Sequence, residues 1–212
     1  MRYNIQTITP PEKFPVARAE MLNHLHIDGT NPDMIEDIVF VEDLIYAATE
    51  AIGDFTGRAF ITQTLKMVMT PTIMPMMKAG LTSWAYESFP SVIPIWRPPC
   101  QQLLDISVVD QQGVAHSVIT NTYNINKGLE PAIVRLNYGA WWPYYLHGWY
   151  EITFVAGYGD NAKAVPSQIR NAIRMTVAQW YASRENLDYT LPTQAVDLVS
   201  DYAISVGDLT GV

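Results

Sequence analysis

Hydrophobic positions along the chain fall into two periods, and each change of period marks a new element. Ile152, Phe154 and Ala156 alternate with Glu151, Thr153 and Val155, the two-residue period of a half-buried strand. Gly157 and Gly159 then supply the backbone freedom of a tight exit, and Pro166 stands where a helix best tolerates proline, at its first turn. Beyond it Ile169, Ala172, Ile173, Thr176, Val177 and Trp180 recur at three- and four-residue steps, predicting a helix that ends near Asn186. A second helical stripe runs through Met34, Ile38, Val41, Ile45, Ala48, Ile52 and Phe55. Asn31 is placed to cap it, Pro32 to open it and Gly57 to stop it. A seam of this kind serves either its own core or a neighbouring subunit. A shorter helix is expected around Val16 to Leu25.

Between these helices the pattern is extended. Thr62 to Met69, Leu103 to Asp110, Ala115 to Ile119, Tyr123 to Asn126 and Ala132 to Leu136 read as strands, with Asp110-Gln-Gln-Gly and Lys127-Gly as turns. Residues 71 to 99 hold six prolines, which excludes a long helix and a central strand. This excursion is sticky, with Met74, Met76, Met77, Trp84, Tyr86 and Phe89, and it reads either as a loop folded on the body or as a projection into a neighbour. Trp141 to Tyr150 packs six aromatics into ten residues, among them Trp142, Tyr144 and Tyr145, as cores and interfaces both do. After Asn186 the tail has no lysine or arginine; Tyr202, Ile204 and Val206 alternate weakly, as an added strand would.

Composition narrows the classes. The chain has 212 residues, 49% of them hydrophobic and 16% charged, which suits a folded domain. It shows no run long enough to span a membrane as a helix and no signal-like start, so the cytoplasm of the producing cell is the expected place of synthesis. A formal net charge of −8 disfavours a broad grip on nucleic-acid phosphates but is compatible with a wall past which DNA slides. Cys100 is the sole cysteine and reads as a buried small hydrophobe. His24 and His26 stand two apart, too few for a helical metal pair. Gly157-Tyr-Gly-Asp lacks the Gly-Lys-Ser/Thr ending of a phosphate loop, and neither a nucleophile elbow nor a metal-binding spacing occurs. No catalytic, cofactor or metal residue is therefore assigned.

Several short motifs, taken in order, resemble one family. Ala47-Ala-Thr-Glu-Ala-Ile and Phe55-Thr-Gly-Arg-Ala-Phe-Ile-Thr-Gln-Thr are followed by Arg97-Pro-Pro-Cys-Gln-Gln-Leu, Asp110-Gln-Gln-Gly, Tyr123-Asn-Ile and Ile133-Val-Arg-Leu. Trp142-Pro, Phe154-Val-Ala-Gly-Tyr-Gly, Val165-Pro-Ser-Gln-Ile-Arg-Asn-Ala-Ile and Trp180-Tyr-Ala-Ser-Arg-Glu-Asn complete the series. Their order resembles that of the tailed-phage head–tail connector, or adaptor, proteins. Two departures stand out: residues 72–92 are longer than the usual connection, and the tail lacks the common basic close.

The resemblance implies a non-enzymatic virion protein made in the host cytoplasm. It implies a homo-oligomeric ring, commonly of about twelve copies, closed by head-to-tail contacts. The ring would sit under the portal, meet the next neck or tail component below, and pass DNA through its lumen without sequence-specific binding. The alternative is another virion or assembly binding module without catalysis. The expected fold is α+β, a helical bundle of N-terminal helices plus a long C-terminal helix, with an inserted antiparallel β-rich lobe. The bundle takes residues 1–58 and 160–190, the lobe 59–159 with the excursion at 71–99, and a possible partner-docking arm 191–212. Expected interface residues are Trp84, Tyr86, Phe89, Trp141, Trp142, Tyr144, Tyr145, Arg170, Arg174, Tyr202, Ile204 and Val206. Arg170 and Arg174, four apart on one helix side, would meet acids of a neighbour or solvent.

Overall fold

In the computed structural model, residues 2–70, 72–75, 85–88, 92–140, 142, 148–184 and 189–204 are described. The chain divides into two units, one of residues 1–10 with 63–156, the other of 11–62 with 157–212.

The first unit is built of antiparallel strands. β1 (Arg2–Thr9), β2 (Gln63–Thr70), β10 (Trp149–Ala156), β6 (Cys100–Val109) and β7 (Ala115–Ser117) form a five-stranded sheet in the order β1-β2-β10-β6-β7. Side chains alternate across it, so pairing register decides which residues meet. Ile5, Met67, Ile152 and Ile106 lie in one cross-strand row, and Tyr3, Met69, Tyr150 and Val108 in the next. Met67, Met69, Tyr150, Ile152 and Ile106 are all 1% exposed or less. The opposite face is polar: Gln6, Lys66, Thr153 and Asp105 share a row, and Lys66 donates to Glu151 at 2.7 Å.

A three-stranded sheet, β5 (Val92–Ile95), β9 (Ala132–Leu136) and β8 (Tyr123–Asn126), belongs to the same unit. β3 (Thr72–Pro75) and β4 (Ala85–Ser88) form a ribbon. The proline-rich excursion, read as a loop on the body or a projection into a neighbour, contains three short strands among its described residues. Pro94 is tolerated because β5 is an edge strand, with a ladder on one side only.

The second unit holds α1 (Arg18–His24), α2 (Ile35–Thr56), α3 (Ser167–Ala182) and α4 (Thr193–Val199). Asn31 accepts a hydrogen bond from the Asp33 amide at 3.0 Å and leads a short 3-10 turn into α2. Gly57, at φ 67°, ends it in the left-handed conformation. Ile38, Val41, Ile45, Ala48 and Ile52 are buried as the spacing predicts, but Phe55 is 39% exposed and Thr56 is buried in its place. A strict seven-residue repeat drifts about 20° per heptad on a straight helix. Across three heptads that drift moves Phe55 off the buried side. All six predicted stripe residues of α3 are buried.

The expected helical bundle with a long C-terminal helix is overturned. α3 stops at Ala182 rather than near Asn186, and the Ser183 hydroxyl donates to the Gln179 carbonyl at its end. α4 is a separate seven-residue helix that begins after Pro192. Among the described residues α1 and α4 have only seven residues each, too short for the helices of an extended bundle, and the strands form antiparallel sheets in a unit of their own. The N-terminal residues, assigned to that bundle, form β1 of the five-stranded sheet. Within the stretch read as a possible partner-docking arm, Ala195 and Val199 are fully buried in the helical core. Ser200–Tyr202 is a 3-10 turn and not an added strand.

Candidate interaction surfaces

The six-residue stripe of α3 turns Arg170 and Arg174 to the side facing α1. Both guanidiniums meet one acid, Glu20 of α1: Arg170 Nη2 at 3.4 Å, and Arg174 Nη2 in close contact. Both arginines thus meet an acid of their own chain. Two cations share one anion there, and the Nε of each arginine is buried without a hydrogen-bond acceptor among the described residues. Two further pairs tie α2 to its surroundings, Arg18 to Glu42 and Arg184 to Asp37, each at 2.7 Å. Both are largely exposed, so each adds well under about 1 kcal/mol.

The aromatic residues divide. Trp142 is 9% exposed, its ring edge-on to Tyr150 at 5.9 Å and stacked on Tyr123 at 6.3 Å. It fills the interior of the strand unit. Tyr3 stacks on Trp96 at 5.3 Å in the same unit. Trp84, Phe89, Trp141, Tyr144, Tyr145 and Val206 lie outside the described residues, and of Tyr86 only its place in β4 is described.

Tyr202 and Ile204 are brought to the end of α2. The Ile204 amide donates to the Thr56 carbonyl at 3.1 Å. Arg58, just past Gly57, donates from Nε to the Tyr202 carbonyl at 2.6 Å and from Nη1 to the Tyr158 hydroxyl at 3.1 Å. Its guanidinium also lies 5.8 Å from the centre of the Tyr202 ring. Arg58 lies inside a quoted motif, yet its anchoring role went unread, because its partners are 100 and 144 residues away.

Two surfaces escaped the sequence patterns. The outer side of α2 shows Ile35, Val39 and Tyr46 at 58%, 51% and 52% exposure, and Phe14 packs edge-on to Tyr46 at 5.9 Å. Acids Glu36, Asp43 and Glu50 flank this apolar strip and are exposed. Glu50 accepts from the Tyr46 hydroxyl and pushes its pKa up. Ile35, Val39 and Tyr46 stand at one- and three-turn spacing, a period that marks this outer side in the sequence, but the longer inner seam of α2 is the stronger signal. The second surface is the outer edge of the five-stranded sheet at β1.

Electrostatics elsewhere is structural. The Lys66 ammonium, then the Trp149 indole, hold the Glu151 carboxyl below its ordinary range against the opposing effect of burial. Asp110 closes the β6–β7 turn, accepting from the amides of Gln112 and Val114 at 2.9 Å and meeting His116 at 2.8 Å; the His116 contact leads in lowering its pKa. Burial raises the Cys100 thiol, which makes it a poor nucleophile. Among the described residues no cluster of three metal-ligating side chains occurs, and no helix is long and apolar enough to cross a membrane.

No protein-family model matches the chain, and no curated protein matches it. Solved structures do. A chain in the neck of an empty gene transfer agent (GTA) particle, computed with C6 symmetry, aligns at a TM-score of 0.75 and 19% identity over 95% of this chain and 96% of that one. A chain in the virion of a native GTA particle aligns at 0.72 and 19% identity, over 95% of each. A chain in the neck of a native GTA particle, computed with C12 symmetry, aligns at 0.67 and 22% identity, over 97% and 96%. At these identities the likeness is one of fold, and it extends over nearly the whole length of both partners.

Proposed function

We propose that this chain is a structural protein of a phage-like neck, a head–tail adaptor that forms a ring of copies beneath the portal. The observation that carries this reading is the end-to-end fold match to GTA neck chains, at a TM-score of 0.75 with 95% and 96% coverage. Two of the matched neck structures were computed with C6 and C12 symmetry, which favours a ring. In the proposed ring each protomer offers two different lateral faces, since only a head-to-tail contact closes a ring larger than a dimer. Candidate faces are the outer side of α2, the edge of β1 and the 71–99 excursion with Trp84, Tyr86 and Phe89; Trp141, Tyr144 and Tyr145 are proposed as further contact residues. Portal above, a tail-side component below and DNA in the lumen complete the assignment. The net charge of −8 is compatible with passage of DNA past the protein. The role needs binding surfaces and no catalysis.

Imaging of particles made with a tagged copy of the chain tests this directly. A ring of tag density between capsid and tail is the expected result. Intact, tailed particles that contain none of this polypeptide would remove the assignment.

A further inference from the structure

Among the described residues β1 ends the five-stranded sheet and pairs on one side only, with β2. A strand in that position exposes a row of unpaired amides and carbonyls, a template for another strand. Natural edges are blunted by lysine or other charges, proline, bulges or shortness. From Tyr3 to Thr9 the sequence Tyr-Asn-Ile-Gln-Thr-Ile-Thr has no charge and no proline. It is rich in the aromatic and β-branched residues that favour strands. Its one register shift falls between Thr7 and Thr9, leaving the run from Tyr3 to Thr7 regular. Every residue of the segment except Ile5 is exposed. The opposite edge, β7, is protected by its length of three residues.

We propose that the outer edge of β1 is the site where a strand from a second copy of this chain adds to the sheet. The occupant follows from charge. A backbone ladder brings two chains to about 4.8 Å, and like charges placed opposite each other there are destabilising. The whole chain carries −8, so two copies approach closely where acids are missing. β1 is such a segment; the first acid after it is Glu12. The contact is heterologous, β1 of one copy against a different segment of the next. An isologous pairing of β1 with β1 would close a two-fold dimer and stop. This inference rests on the ring reading above and names one of its lateral contacts.

A photo-reactive residue in place of Gln6, whose side chain is exposed on the polar face of the sheet, tests it in assembled particles. The expected product joins Gln6 to a segment outside β1 of a second copy of the 23.9 kDa chain. A link only to another polypeptide, a link of β1 to β1, or no link from protein that is present in the neck would overturn the inference and leave the ring reading standing. Absence of the chain from the neck overturns both. A double variant, Asn4→Glu with Gln6→Glu, supplies the second arm. Gln6 lies opposite Lys66, so an acid there suits the fold, and the variant is expected to keep the wild-type circular dichroism and melting profile. Its incorporation into particles should fall at least about tenfold, because charges on an edge, here of the sign the second copy already carries, block strand addition. The neutral pair Asn4→Ser with Gln6→Ser should incorporate normally. Normal incorporation of the glutamate variant would overturn the proposal.

Discussion

Gly157 shows how much can hang on one missing side chain. Its φ is 128°, and a Cβ built there would sit 2.5 Å from the backbone carbon of Ile61. The neighbouring amides use this closeness: Tyr158 donates to the Phe60 carbonyl at 2.8 Å and Thr62 to the Gly159 carbonyl at 3.1 Å. Gly157→Ala combines an unfavourable backbone region with a clash against backbone that has little room to yield. The expected cost is about 2–4 kcal/mol, read as a lower urea midpoint with an unchanged slope. Arg58 acts in the opposite way, by what it reaches. Arg58→Ala removes charge-assisted bonds to Tyr202 and Tyr158, each of a kind worth roughly 1.5–3 kcal/mol. Faster amide exchange across residues 200–204, with α3 unaffected, is the expected signature. Glu151 governs acid behaviour. Its carboxyl is held below the ordinary 4.5 by Lys66 and Trp149. A carboxyl depressed in the folded state stabilises above its unfolded pKa, and that contribution disappears as pH falls through the folded value. Wild type should therefore lose more stability than Glu151→Gln on going from about pH 7 to about pH 3, as measured by thermal melts across that range.

Among the elements, α4 separates what a pattern can announce from what packing decides. The stripe of α3 spans twelve residues, enough turns for its period to be unmistakable, and every predicted position is buried. The alternation of β10 likewise foretold Ile152, Phe154 and Ala156, each fully buried. α4 has seven residues and buries Ala195 and Val199, one i,i+4 pair, which no periodicity test distinguishes from chance. The same limit applies to the candidate surfaces. That Arg170 and Arg174 share a side followed from their spacing; that Glu20, about 150 residues earlier, would meet both did not. Aromatic density around Trp142 signalled burial or contact without a direction, and the edge position of β1 exists only once the sheet is paired. Truncation before Tyr189 tests the role given to α4. Val199 and Ala195 would leave the core, and Trp180 would lose both the Tyr189 ring 5.1 Å away and the Thr190 carbonyl that accepts its indole N–H at 3.0 Å. At roughly 1.5–3 kcal/mol per large buried side chain, a loss of about 3–5 kcal/mol is expected in chemical denaturation. A truncated chain as stable as the full one would show that the helical core does not need its last helix.

At the scale of the whole molecule, charge sets the terms on which copies meet. In the proposed ring, with a formal net charge of −8 per chain, every subunit added would work against the field of those already there. The exposed acids Glu36, Asp43 and Glu50 beside the apolar strip of α2 add to that local repulsion, whereas β1 is neutral from Tyr3 to Thr9. Attraction in such a ring would then come from apolar burial and backbone pairing. Both act at short range and survive salt, while repulsion between exposed charges is screened beyond about 8 Å at 0.15 M ionic strength. Self-association of the purified chain should therefore strengthen as sodium chloride rises from about 20 to about 200 mM, the reverse of an assembly held by complementary charges. Sedimentation velocity at fixed protein concentration reads this as a shift from monomer toward larger species. Oligomers that dissolve over the same range would mean that opposite charges, and not the neutral strand and the apolar strip, hold the copies together.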